Sequence, residues 1–134
     1  QQTPLSGAVI VSTPQDLALI DARKGLKMFN KVNVPILGII ENMSYFICTK
    51  CGERHEIFGH GGARAEAEKL GVPFLGEVPL DLELRRRSDS GEPIMATMPD
   101  SPQAQTYVAI AKQVSQALAM GQGMKPPPTI TFGA

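Results

Sequence analysis

Cys48-Thr49-Lys50-Cys51 sets two thiols close together in a stretch that also carries both histidines, His55 and His60. Thiolates at this spacing can turn toward one metal, and Gly52 directly behind them supplies the backbone freedom that such a knuckle needs. Two thiolates are half of a tetrahedral or cluster site. The sequence has no other cysteine, so a four-sulfur site requires a second copy facing the first across a two-fold axis. Spacing alone leaves other uses open. Cys48, Cys51, His55 and His60 stand in a C-x2-C-x3-H-x4-H order that can hold one Zn2+, with a cysteine-to-histidine gap short for a zinc finger. A thioredoxin-like dithiol is another, although that motif opens a helix and here Gly52-Glu53-Arg54-His55 follows. Unreactive reduced thiols are the plain reading. Two cysteines this close do not bridge each other comfortably, so a reducing cytosol suits them.

The elements that must position this pair follow from the apolar pattern. Ala8-Val9-Ile10-Val11 reads as a buried strand, and Thr13-Pro14-Gln15-Asp16 as a helix start with Thr13 as cap and Pro14 in the first position. Leu19, Ala22, Leu26 and Phe29 recur at helical spacing, and Ile36 to Ile40 is the next buried strand. Strand, helix and strand make a right-handed βαβ unit whose runs suit a parallel sheet covered by helices. Glu41 to Gly62 reads as one long loop, which places the cysteines outside the alternation. Ala63 to Leu70 is helical and ends at Gly71, Phe74 to Val78 is a third strand, and Asp81 to Ser88 is a short polar helix. Gly91 to Asp100 reads as irregular, and Ala104, Tyr107, Ala111, Val114 and Leu118 form the stripe of a closing helix. The expected division is a domain over 1–119, with the metal loop at 44–58, and a flexible tail over 120–134 containing Pro126-Pro127-Pro128. Three strands make a narrow sheet whose first strand has an unexplained outer edge, so the chain reads as a fragment.

Composition excludes several classes. The 134 residues carry thirteen Lys+Arg against thirteen Asp+Glu, so no global charge points to nucleic acid or an anionic membrane. The longest apolar runs fall far short of the roughly 20 residues that cross a bilayer, and the polar Gln1-Gln2-Thr3 start is no signal peptide. A cytoplasmic protein is expected.

Read together, Ser6-Gly7-Ala8-Val9-Ile10-Val11-Ser12-Thr13-Pro14-Gln15-Asp16, Gly38-Ile39-Ile40-Glu41-Asn42-Met43-Ser44, the CxxC, Ile57-Phe58-Gly59 and Val78-Pro79-Leu80-Asp81 closely resemble the Mrp family of iron-sulfur carrier ATPases. The likeness runs from about Pro4 to Leu118. It implies an α/β fold, the parallel-sheet part of a doubly wound P-loop NTPase without its N-terminal P-loop half. Members are deviant Walker NTPases related to MinD, and dimers that carry a [4Fe-4S] cluster between paired CxxC motifs and deliver it to apoproteins. The resemblance thus makes Cys48 and Cys51 the metal ligands and implies a homodimer through their loops. It also implies that Asn42 contacts the adenine edge while Pro79, Leu80 and Asp81 close over the base. A side-chain amide can donate to and accept from a purine, and ligands gather at strand carboxyl ends. The phosphate-cradling G-x-x-x-x-G-K-[ST] loop and an aspartate-bearing segment for Mg2+ are missing from the sequence. Both are expected upstream in a longer parent that binds and hydrolyses ATP, and this chain alone is expected not to.

The rival class is a MinD-like regulatory ATPase, or an interaction module, with structural zinc at the CxxC. Zinc can also replace iron after aerobic purification. Against MinD-like membrane binding, the sequence after Leu118 is Gly/Pro-rich rather than basic and amphipathic. His55 and His60 read as loop residues outside the metal site, Arg85-Arg86-Arg87 as a solvated helix face, and Met95 and Met98 as core fillers. Tyr45, Phe46 and Ile47 are either local core or cover for a cluster.

Overall fold

The computed structural model describes residues 4–120. The apolar run at the start becomes β1 (Ala8–Ser12), followed by α1 (Asp16–Lys31) and β2 (Ile36–Ile47). After a short β3 (Arg54–His55) come α2 (Gly62–Leu70), β4 (Phe74–Leu80), α3 (Leu82–Asp89), α4 (Ile94–Thr97) and α5 (Pro102–Ala119). β2 is central. β1 lies parallel to it with Ile10 opposite Ile39, and β4 lies parallel with Asn42 opposite Val78. Phe46 has a partner on each side, Leu80 of β4 and His55 of the antiparallel β3. The sheet is therefore mixed, with a parallel body and an antiparallel hairpin at the carboxyl end of its middle strand.

Helices cover both faces, as buried parallel strands require. Ile10, Leu19, Ile39, Ala63 and Ala67 form a core cluster beneath α1 and α2, with Ala22, Phe29, Ile36, Val72 and Phe74 packed around it. Arg23 of α1 forms a two-pronged ion pair with the buried Glu66 of α2, one arm at 2.8 Å. Across the sheet α5 packs on β4 and β2. It approaches so closely that a Cβ on Gly76 would stand 2.8 Å from Ile110 Cγ1.

Several expectations are corrected. The long loop at 41–62 is not one: Glu41 to Ile47 continues β2, and Arg54–His55 returns along it. The metal loop expected at 44–58 thus narrows to the turn between these strands. Glu41 is buried where a charged residue suggests a strand end, because hydrogen bonds reach it from outside its own strand. Thr13 does not cap α1; its hydroxyl donates to Gln15 Oε1 and Gln15 takes the cap position. The segment at 91–100 contains α4, and Met95 and Met98 are exposed rather than filling the core. The buried side of α5 is turned by about one residue from the expected stripe: Ala104, Ile110 and Ala117 are buried while Tyr107 is not. The expected tail, apart from Met120, lies outside the described residues.

Candidate functional site

Cys48 follows directly on β2, and the chain reverses through Thr49, Lys50, Cys51 and Gly52 to enter β3. Two backbone bonds close the turn: Cys48 N–H donates to Glu53 O at 2.9 Å, and Gly52 N–H to Cys48 O at 2.8 Å. Gly52 has φ +75°, the left-handed conformation that a side chain would strain. Both cysteines are free, Cys48 half-buried and Cys51 exposed. Backbone amides of Cys51 and Lys50 and the Cys51 side chain donate toward the Cys48 sulfur, and they hold its thiol below the usual range. A turn whose amides point at a sulfur stabilises the thiolate, the form that binds metal. The donor set therefore suits half of a metal or cluster site, presented outward at one end of the sheet.

The histidines do not join it. His55 is exposed, with Nε2 3.6 Å from Glu53 Oε2. His60 sits in a polar cluster: Nδ1 lies 3.2 Å from Ser44 O and Nε2 3.4 Å from Glu77 Oε1. The four-ligand C-x2-C-x3-H-x4-H zinc site is not assembled. Instead Glu41, fully buried, accepts hydrogen bonds from the Ser44 hydroxyl, from Gly61 N–H at 3.2 Å and from Ala63 N–H at 2.9 Å. It thus acts as the missing side-chain cap of α2, whose own N-cap is Gly61. Among the described residues, Glu41, His60 and Glu77 bring potential ligand atoms within 4.8 Å of one another. Both Glu41 oxygens already have donors, and Arg54 and Arg64 lie at 3.4 Å from His60 and 3.9 Å from Glu77. Cations and hydrogen bonds already meet the charge, so the cluster reads as structural. The sequence signal for it was a glutamate, with a serine three residues on, at the end of an apolar strand.

Asn42, Pro79, Leu80 and Asp81 gather at the same end of the sheet. Asn42 stands opposite Val78, one residue before Pro79, and Met43 after it has φ +53°. Asp81 caps α3 by accepting from Leu84 N–H at 2.8 Å, and its other oxygen accepts from Gln103 Nε2 at 3.0 Å. Pro79, Leu80 and Asp81 line a cleft of about 200 Å3. Tyr45, Phe46, Ile47 and Thr49 also line it, together with Pro102, Gln103 and Thr106 at the start of α5. Asn42 does not line this cleft. The three residues before Cys48 are thus part of the cleft wall, with Ile47 exposed. Arg85 and Arg86 are solvated and pair with Asp89 and Glu83, whereas Arg87, its side chain only 19% exposed, departs from the expected solvated face and pairs with Glu83 and Glu92.

A mixed α/β sheet with helices on both faces and a two-cysteine turn at the carboxyl end of its central strand defines the class of fold, that of the P-loop NTPases. A family model described as ParA, NUBPL iron-transfer P-loop NTPase, matches residues 1–115, and the chain belongs to this family. It is 57% identical over 118 residues to the iron-sulfur cluster transfer protein NUBPL of Dictyostelium discoideum, covering 88% of this chain and 36% of that protein. It is 48% identical to the iron-sulfur cluster carrier protein of Escherichia coli K12, over 100% of this chain and 36% of the relative. The chain therefore spans little more than a third of these relatives. Among solved structures, a nucleotide-binding protein from Archaeoglobus fulgidus in complex with ADP matches with TM-score 0.59 and 39% identity, over 73% of this chain and 39% of that one. The cell division ATPase MinD of Pyrococcus furiosus matches with TM-score 0.64 at 22% identity, over 83% and 43%, a likeness of fold alone. No helix among the described residues is long and apolar enough to cross a membrane.

Proposed function

We propose that this chain is the cysteine-bearing part of an iron-sulfur cluster carrier, and that Cys48 and Cys51 from two copies together hold one [4Fe-4S] cluster as cargo for recipient apoproteins. The observation that carries the reading is the knuckle: two thiols on a tight turn, one of them already favoured as thiolate by backbone amides. Two sulfurs per chain leave half the cluster's ligands to a second copy, so loading and homodimerisation go together. The names of the relatives support the cargo. Reduced thiols suit the cytoplasm.

In the longer parent, Asn42 would meet the edge of an adenine, with Pro79, Leu80 and Asp81 beside the base. The neighbour solved in complex with ADP supports nucleotide binding by the parent. ATP and Mg2+ bound by the rest of the parent, and ATP hydrolysis there, would set how the two subunits meet and so how firmly the shared cluster is held.

Anaerobic reconstitution with iron and sulfide tests the cargo, reading iron content, visible absorption and mass beside a Cys48→Ala/Cys51→Ala control. The expected result is about four irons per dimer, lost in the control. Tight zinc at one per monomer with no cluster would refute the carrier reading.

A further inference from the structure

The hairpin that presents the cysteines is joined to the sheet by a stretch with weakened strand pairing. Asn42 of β2 stands opposite Val78, and the next pair is Phe46 with Leu80, so Met43, Ser44 and Tyr45 oppose Pro79 alone. Proline has no N–H to give to a ladder. On the other side β1 ends where Ser12 meets Glu41, and β3 pairs with β2 only from Phe46 onward. Met43 adopts φ +53° within this bulge, a conformation uncommon for a residue with a side chain.

Side chains take over where strand pairing stops. Ser44, itself fully buried, donates its hydroxyl back to Glu41, and Glu41 is fixed in turn by the first amides of α2. His60 Nδ1 sits 3.2 Å from Ser44 O. Arg54, on the return strand of the hairpin, lies 3.4 Å from His60 and has its guanidinium carbon 4.1 Å from the centre of the Tyr45 ring. A buried carboxylate is costly unless its hydrogen bonds are made. Glu41 therefore holds Ser44 only in the bulged geometry that satisfies it, and Ser44 lies four residues before Cys48.

We propose that Glu41, Ser44 and His60 form a strap that positions the cysteine knuckle, acting on metal binding through the backbone without touching metal. This rests on the reading of Cys48 and Cys51 as metal ligands. Residues that orient a metal's ligands typically change affinity by about 10- to 100-fold when lost.

Cobalt(II) titration of the anaerobic chain is the test, read through thiolate-to-cobalt absorption, with Cys48→Ser/Cys51→Ser as control and far-UV circular dichroism on every variant. Ser44→Ala is expected to weaken cysteine-dependent binding about tenfold and shift the cobalt ligand-field bands with the dichroism unchanged. Ser44→Thr, which keeps the hydroxyl, should restore both. Should Ser44→Ala lose its fold, His60→Ala, on a half-exposed side chain, decides with the same expected loss. Wild-type affinity and band shape in a folded variant would overturn the strap while leaving the carrier reading intact. A wild-type chain with no cysteine-dependent band would overturn both. Cobalt retained by the cysteine-free variant and lost on Ser44→Ala would overturn the strap by making the Glu41 cluster itself a metal site.

Discussion

Replacing Arg23 by alanine tests how α2, whose first amides anchor Glu41, is held against α1. The guanidinium makes two bonds to Glu66, whose side chain is 6% exposed. Its loss leaves a carboxylate with little access to water. Breaking a fully buried pair costs about 3–5 kcal/mol. Arg23 is 40% exposed, so water can enter the vacated space, and about 2 kcal/mol is expected. With a urea slope of about 1.5 kcal/mol/M, the unfolding midpoint at pH 7 should fall by roughly 1.3 M. The loss must also depend on pH. The hydrogen bonds from Arg23 hold Glu66 below the usual carboxylate range, against the opposing effect of burial. The pair's contribution is therefore complete above the unfolded value of about 4.3 and disappears as pH falls through the lower folded value. Urea denaturation followed by circular dichroism should show the gap between wild type and Arg23→Ala narrowing as the pH is lowered through that window. A gap that is absent at pH 7, or constant down through the carboxylate range, would refute the reasoning.

Three further outcomes follow from the same geometry. In Cys51→Ala, the amides that favour the Cys48 thiolate remain and only the side-chain contact is lost. The pH profile of Cys48 alkylation should therefore keep its midpoint below the ordinary thiol value of about 8.5, and a midpoint at or above it would remove the amide argument. Gly52→Ala meets no neighbouring atom but must adopt φ +75°. A destabilisation of about 1 kcal/mol is expected, together with weaker metal binding, in thermal melts and cobalt titration. Asp81→Ala removes the cap of α3 and the link to Gln103. It should cost about 1 kcal/mol in urea denaturation, with Asp81→Asn recovering most of it.

The alternation of strand and helix was legible because buried parallel strands must be apolar and helices must repeat their apolar residues about every 3.6 positions. Ala8–Val11, Ile36–Ile40 and Phe74–Val78 all lie within strands, and Leu19 and Leu26 face the core. Misplacements occurred where tertiary contacts override local preference. The buried side of α5 is set by Ile110 meeting Gly76, which no pattern along α5 alone contains. Met95 and Met98 looked like core by type, yet the short α4 leaves them exposed.

The closeness of the two cysteines was legible in the sequence, because a two-residue gap keeps both thiols on one turn whatever the rest of the chain does. Gly52 was readable for the same reason. What surrounds the pair was decided in three dimensions. Glu41 to Ile47 reads as a polar interruption until hydrogen bonds from α2, two dozen residues downstream at most, bury Glu41 and let β2 continue to the knuckle. His60 shares its stretch of sequence with the cysteines but turns to Ser44 and Glu77. A side chain's chemistry is carried in the sequence, whereas its direction depends on which distant groups satisfy its hydrogen bonds and charge.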